Sequence, residues 1–150
     1  MGFNIVLVEP EIPNNTGNIG RLSLAAGCKL HLVKPFGFEL NDKRVKRAGL
    51  DYWKHLSVSI YENLDDFLFK NKDEKMVFLS IKSENIYSTI PFKKNMYLVF
   101  GKESVGLNAD LISKNKSNTY KIPIYCKKVR SLNLANAVSI VVYEGLKKLY

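Results

Sequence analysis

Residues 13–21 read Pro13-Asn14-Asn15-Thr16-Gly17-Asn18-Ile19-Gly20-Arg21. They follow Phe3-Asn4-Ile5-Val6-Leu7-Val8, an apolar run of strand length. Beyond them Ile19, Leu22 and Ala26 recur at helical spacing up to Gly27, a helix stop. The stretch therefore reads as a strand-to-helix turn, a corner that prefers Asn, Thr and Gly as turn formers and N-caps. Outward from this corner the same alternation continues. Strand-like runs at 3–8, 29–33, 76–81, 96–100 and 120–124 alternate with helical patterns near 17–26, 42–48, 63–70, 108–114 and 133–149. This order predicts an α/β fold, a mostly parallel sheet flanked by helices. With no repeat, linker or break in composition, residues 1–150 are expected to form one domain.

Length and composition bound the rest. A chain of 150 residues can bury a real core, and 46% hydrophobic with 25% charged residues is ordinary globular usage. No run approaches the length of a membrane span, and the N-terminus reads as a strand, not a signal peptide. Val6 stands where N-myristoylation of Gly2 would need Ser or Thr. A cytoplasmic location without membrane association is the expectation. The net charge of +9 points towards a polyanion, although the chain is lysine-rich throughout. Against 19 lysines there are four arginines, Arg21, Arg44, Arg47 and Arg130. Where Lys is the default cation, Arg tends to sit where its planar fork matters, on a phosphate or carboxylate. Cys28 and Cys126 are far apart, and with His31 and His55 they match no metal or disulfide pattern. His31, inside Leu30-His31-Leu32-Val33, reads as structural.

Ligands of open α/β sheets bind beyond the carboxyl ends of the strands. Three unusual segments fall there: PNNTGNIGR, then Phe100-Gly101-Lys102-Glu103-Ser104-Val105-Gly106-Leu107, then Ile122-Pro123-Ile124 with Val129-Arg130-Ser131-Leu132-Asn133. Gly101 and Gly106 have P-loop spacing, but Leu107-Asn108 replaces the required Lys and Ser/Thr. The dinucleotide fingerprint and the nucleophile elbow are also missing. Glu103 suits either an acid/base group or a carboxylate at a helix N-terminus. Ser131 or Asn133 suits the N-cap of the last helix, while polar loops around Leu132 also suit an adenine-sized ligand. In that helix Leu134, Ala137, Val138, Val141 and Leu149 form an apolar stripe, which Val142 and Leu146 widen.

Together, PNNTGNIGR, Leu98-Val99-Phe100-Gly101-Lys102-Glu103-Ser104-Val105-Gly106-Leu107 and the stretch from Ile122 through Glu144 resemble the three motifs of the SPOUT methyltransferases. The closest type is the minimal TrmL/YibK form, which methylates the ribose 2′-OH of the tRNA wobble nucleotide. Glu9-Pro10-Glu11-Ile12-Pro13 and the run from Asp42 to Tyr52 are typical of that subgroup, and the likeness covers about Asn4 to Glu144. The resemblance implies a C-terminal deep trefoil knot, a homodimer, S-adenosylmethionine (SAM) as methyl donor and the tRNA anticodon region as partner. It places the cofactor at Leu79, Gly101, Ile122, Ser131 and Leu132. It makes Arg21 the catalytic arginine, with Asn15 beside it and Asn133 in support. Val105, Asn108 and Ala135 replace an arginine, a proline and a serine that are common in the family.

Methyl transfer to an alcohol needs the oxygen, methyl and sulfur aligned and the developing negative charge stabilised. A guanidinium is not deprotonated in proteins, so Arg21 suits phosphate fixation and electrostatic activation, with the proton acceptor left open. Arg44, Arg47 and Arg130, with Lys128, are the candidates to extend an RNA-binding surface. The same motifs leave two other readings open: a ribose methyltransferase for another tRNA or rRNA position, and a catalytically silent RNA-binding protein of this fold.

Overall fold

A computed structural model describes residues 2–150, the side chains of residues 49–51 excepted. Its sheet contains β1 (Asn4–Val8), β2 (Lys29–Val33), β3 (Val58–Tyr61), β4 (Met76–Leu79), β5 (Tyr97–Phe100) and β6 (Thr119–Tyr120). The strand order is β3-β2-β1-β5-β4-β6 and every neighbouring pair is parallel. The helices are α1 (Pro13–Ala25), α2 (Lys43–Gly49), α3 (Leu64–Lys70), α4 (Ala109–Lys114) and α5 (Leu134–Leu149). Successive strands run outward to one edge from β1, and the chain then returns to pair β5 against β1. The β1/β5 seam is thus where the strand order reverses, the place at which α/β sheets open a crevice.

The sheet is buried on both faces, so β1 is apolar without strict alternation. Ile5, Leu7, Leu30, Leu32, Leu98 and Phe100 point to one side, packing with Ile19 of α1 and with Val138, Val141 and Val142 of α5. Val6, Val8, Val33, Phe78 and Val99 point to the other, with Phe67 of α3 and Leu111 of α4. The expected stripe on α5 is this core face, and Leu134 heads it.

Three expectations need correction. PNNTGN is not a turn: α1 begins at Pro13, and Asn15, Thr16 and Gly17 lie buried inside it. Proline at the first helical position gives up an N–H that would have had no helical partner, so it starts a helix as readily as it marks a corner. The true corner is Glu9–Ile12, with Glu9 in the left-handed region at φ 53°. Secondly, of the run 120–124 only Tyr120 lies in a strand, β6 (Thr119–Tyr120), followed by a single bridge between Lys121 and Ile86. Pro123 lacks the N–H that a continuing ladder needs. Thirdly, Val58–Tyr61 forms an edge strand that no apolar run announced, because Ser59 and Ile60 are exposed there.

A 3-10 helix at Leu50–His55 packs on α1. It comes so close that a Cβ on Gly20 would lie 2.7 Å from the Trp53 ring. A closed polar network holds the β1–β2–β3 side. His31 Nε2 lies 2.9 Å from Asn4 Oδ1 and Nδ1 lies 3.0 Å from the Tyr61 hydroxyl. The Asn4 amide N–H donates to the Asn95 carbonyl at 2.8 Å, so Asn4 Oδ1 accepts from His31 and His31 Nδ1 accepts from Tyr61. Burial, helped by the charge of Lys29, lowers the His31 pKa to about 4, and the ring is neutral at pH 7.

Candidate active site

Two loops meet at the β1/β5 seam, Glu9–Ile12 and Gly101–Gly106. Ile12 is the N-cap of α1 but has no side chain able to cap. The Glu103 carboxylate does so from the other loop, accepting the N–H groups of Glu11 at 2.8 Å and Ile12 at 3.0 Å. Of the two sequence readings for Glu103, a carboxylate at a helix N-terminus is the geometry found, although the helix is α1, about ninety residues away in sequence. Glu11 returns the contact, accepting from the Ser104 N–H at 2.9 Å and its hydroxyl at 2.7 Å. These two bonds hold the Glu11 carboxyl below its usual pKa.

A directional chain of amides extends from this clasp. Asn133 Oδ1 caps α5, accepting from the N–H groups of Ala135 at 2.9 Å and Asn136 at 3.3 Å. Its NH₂ is then turned outward and donates to Asn15 Oδ1 at 3.0 Å. Asn15 donates in turn to Glu103 Oε1 at 3.3 Å. Each group has its donor and acceptor roles fixed by the next, so the N-termini of α1 and α5 are locked together through the β5 loop. Asn133 is therefore both the cap of α5 and the link to Asn15.

Beside this chain opens a cavity of about 350 Å³, in the size range of small-molecule sites. All five residues expected to hold a cofactor line it: Leu79 at the end of β4, Gly101 at the end of β5, then Ile122, Ser131 and Leu132. Gly101 admits no side chain, since a Cβ would lie 2.2 Å from the Gly106 carbonyl carbon. The loop closes on itself there through Gly106 N–H to the Lys102 carbonyl at 2.9 Å, with Gly106 at φ 71°. Apolar walls from Leu79, Ile122 and Leu132 suit a purine face, while Glu103, Ser131 and Arg130 supply a few polar groups. Two of the loop's N–H groups are already engaged, Gly106 by the Lys102 carbonyl and Ser104 by Glu11. The donor set fits a phosphate-free adenosyl ligand such as SAM.

The expected catalytic trio is not brought together as a unit. Asn15 and Asn133 touch, but Arg21 lies six residues along α1, about 9 Å by helix rise, on the exposed stripe with Asn14, Asn18 and Ala25. The Arg21 guanidinium sits over the Tyr52 ring, 5.2 Å from its centroid. Arg44 and Arg47 are exposed on α2, with Arg44 paired to Asp42 at 3.0 Å. Arg130, expected on an RNA surface, lines the cavity and donates to the Ser104 carbonyl at 3.4 Å. Sequence reasoning missed Glu11, whose partner is distant, and Tyr52, whose contact depends on the Trp53–Gly20 packing. Asn108, where proline is common, caps α4 by accepting the Leu111 N–H at 2.7 Å. Among the described residues no helix is long and apolar enough to cross a membrane, and no acidic, His and Cys cluster could hold a metal ion.

A family model described as the SpoU rRNA Methylase family matches residues 2–143. The chain belongs to that family. A tRNA (cytidine(34)-2′-O)-methyltransferase from Saccharophagus degradans is 45% identical, over 98% of this chain and 96% of its own length. One from Yersinia pestis is 42% identical, over 98% and 94%. A solved structure concerned with the 2-OH methylation of C/U34 on tRNA superposes with a TM-score of 0.92 and 40% identity, covering 98% of this chain and 95% of that one. An AdoMet-bound rRNA methyltransferase from Sinorhizobium meliloti gives a TM-score of 0.88 at 25% identity, and the present chain spans 57% of it. In this SpoU family member the α/β sheet is thus the family's own. All five cavity residues lie within the matched segment.

Proposed function

We propose that this SpoU family protein transfers a methyl group from SAM to the ribose 2′-OH of the wobble nucleotide of tRNA. One observation carries the reading: the cavity that takes an adenosyl ligand adjoins the Asn133–Asn15–Glu103 chain at the sheet's reversal point. The identity of 45% and 42% to relatives named as tRNA (cytidine(34)-2′-O)-methyltransferases favours that substrate. The family description and the Sinorhizobium relative favour rRNA as the second reading, but that relative is much the longer protein.

Leu79, Gly101, Ile122, Ser131 and Leu132 would hold SAM, which when bound supplies an electrophilic methyl on a sulfonium. The closed Gly101–Gly106 loop fixes one wall of the cavity, and Glu103 fixes Asn15 and the start of α1 against it. Arg21 stays a cation throughout and acts on the RNA, neutralising a phosphate beside the reacting ribose and lowering the cost of charge on its 2′-oxygen. Arg44, Arg47 and Arg130 add to the positive surface. Because Arg21 faces outward in one chain, a site that uses both the cavity and Arg21 is most simply completed in a homodimer. An apolar hollow formed by Ala25, Ala26, Tyr143, Leu146 and Tyr150 offers a surface for it. The trefoil knot belongs to this proposal too, supported by the pairing of Ile86 with Lys121, which ties residues 85–87 to the chain leaving β6. The protein would act in the cytoplasm, where tRNA is.

The test is methyl transfer from labelled SAM to total RNA lacking this modification, tRNA and rRNA together, with nucleoside-resolved mass spectrometry. Label on the ribose of nucleotide 34 is the expected result. Label on rRNA alone would replace the substrate and leave the cofactor assignment standing.

A further inference from the structure

Residues 125–129 are not used by the site described above, and their composition is unusual. Its two ends, Ile124 and Arg130, both line the cavity, so residues 125–129 form a lip between two of its walls. Tyr125 on this lip is 95% exposed, more than any other large hydrophobic among the described residues. A single turn, Val129 N–H to the Cys126 carbonyl at 3.2 Å, supports the segment. Lys127, Lys128 and Arg130 are exposed beside the tyrosine. Between Asp110 and Glu144 the sequence holds no carboxylate side chain, but it carries Lys114, Lys116, Lys121, Lys127, Lys128 and Arg130. A solvated tyrosine among cations, in a stretch of chain without carboxylates, is the combination that binds single-stranded nucleic acid. The ring gives a base a face to stack on, and the cations follow the phosphates.

We infer that the 125–129 lip is an RNA-binding surface, on which Tyr125 stacks an unpaired base next to the methylated nucleotide while Lys127 and Lys128 hold the flanking phosphates. This rests on the reading above that the substrate is a tRNA loop, whose unpaired bases are free to splay onto a ring. Duplex RNA would offer phosphates but no base face. Tyr125 is a substrate-binding residue here; it takes no part in the chemistry.

The experiment measures methyl transfer to an anticodon stem-loop by the full-length protein, with Tyr125→Ala, Tyr125→Phe and the double variant Lys127→Ala/Lys128→Ala. Tyr125→Ala should raise KM for the RNA about tenfold, with KM for SAM and kcat at saturating RNA unchanged. Tyr125→Phe, which keeps the ring, should restore the wild-type value. The lysine double variant should lower the slope of log affinity against log salt by about 1.4, the share of two phosphates on a single strand. An unchanged RNA KM in Tyr125→Ala, or a rise in KM for SAM instead, would overturn the assignment; the latter would make the lip a cover for the cofactor. If the wild type does not methylate nucleotide 34, the substrate reading fails by itself. Filter binding of labelled stem-loop and of a duplex RNA to wild type and Tyr125→Ala then decides the lip separately: a selective loss for the stem-loop supports it, and equal affinities refute it.

Discussion

Two polar networks in this molecule are built from the same kinds of side chain and do different things. Asn4, His31 and Tyr61 form one among β1, β2 and β3, and all three are buried. Asn133, Asn15 and Glu103 form the other across the β1/β5 seam, where Asn133 is exposed and Glu103 lines a cavity. In both, each donor has an acceptor. The closed network spends its hydrogen bonds on its own members and the Asn95 carbonyl, and holds His31 neutral. The open one leaves carboxylate and amide groups at the edge of a space that a ligand can enter. Satisfaction of polar groups therefore does not distinguish a structural site from a functional one; access does.

The contrast can be tested by asking which network moves activity and which moves stability. The largest effect is expected outside both, at Arg21. Arg21→Ala should lower kcat by about 10²- to 10³-fold, with SAM affinity by calorimetry within about twofold. Loss of SAM binding would place the arginine in the wrong role. Next comes the closed network. His31 has a folded pKa of about 4 against an ordinary 6.5, so the unfolded chain takes up the proton first as pH falls. Its contribution to stability is complete above pH 6.5 and is lost progressively as the pH drops towards 4. Urea unfolding should show a loss of about 2 kcal/mol between pH 8 and pH 5. Glu11, Asp42 and Asp66, with lowered pKa values, add their own losses only at more acid pH. His31→Asn should flatten the profile above pH 5 without changing kcat at pH 7.5.

Asn133→Ala is the crossing case, because it removes the cap of α5 and the donor to Asn15 together. It should cost about 1 kcal/mol of stability and about tenfold in kcat; loss of stability alone would assign Asn133 to the fold. The smallest effect is expected from Glu11→Gln. An amide oxygen can still accept from Ser104, so KM for SAM should rise only about two- to threefold at pH 7.5.

Much of this is legible in the sequence itself. The parallel α/β alternation and all five helices follow from apolar spacing, because a sheet covered on both faces makes its strands almost continuously apolar. The edge strand β3 escaped because half of it faces solvent. The cavity residues were legible through family motifs, not through periodicity. Asn15 and Asn133 could be named as site residues, but their bond joins positions 118 residues apart, a distance no local pattern spans. The position of Arg21 was misjudged for a related reason. Reading PNNTGN as a turn left the phase of the helix open, and the phase is what turns Arg21 away from Asn15.

The amide chain also has a temporal consequence. Its three members come from the first, third and last parts of the polypeptide, and Asn133 becomes a cap only when α5 forms. A ribosome that has released residues as far as β5 has produced most of the sheet, but neither the lock between the helices nor the second wall of the cavity. The last contacts to close are therefore also those of longest sequence separation, which form slowly, and the cavity takes its full shape only with α5 in place.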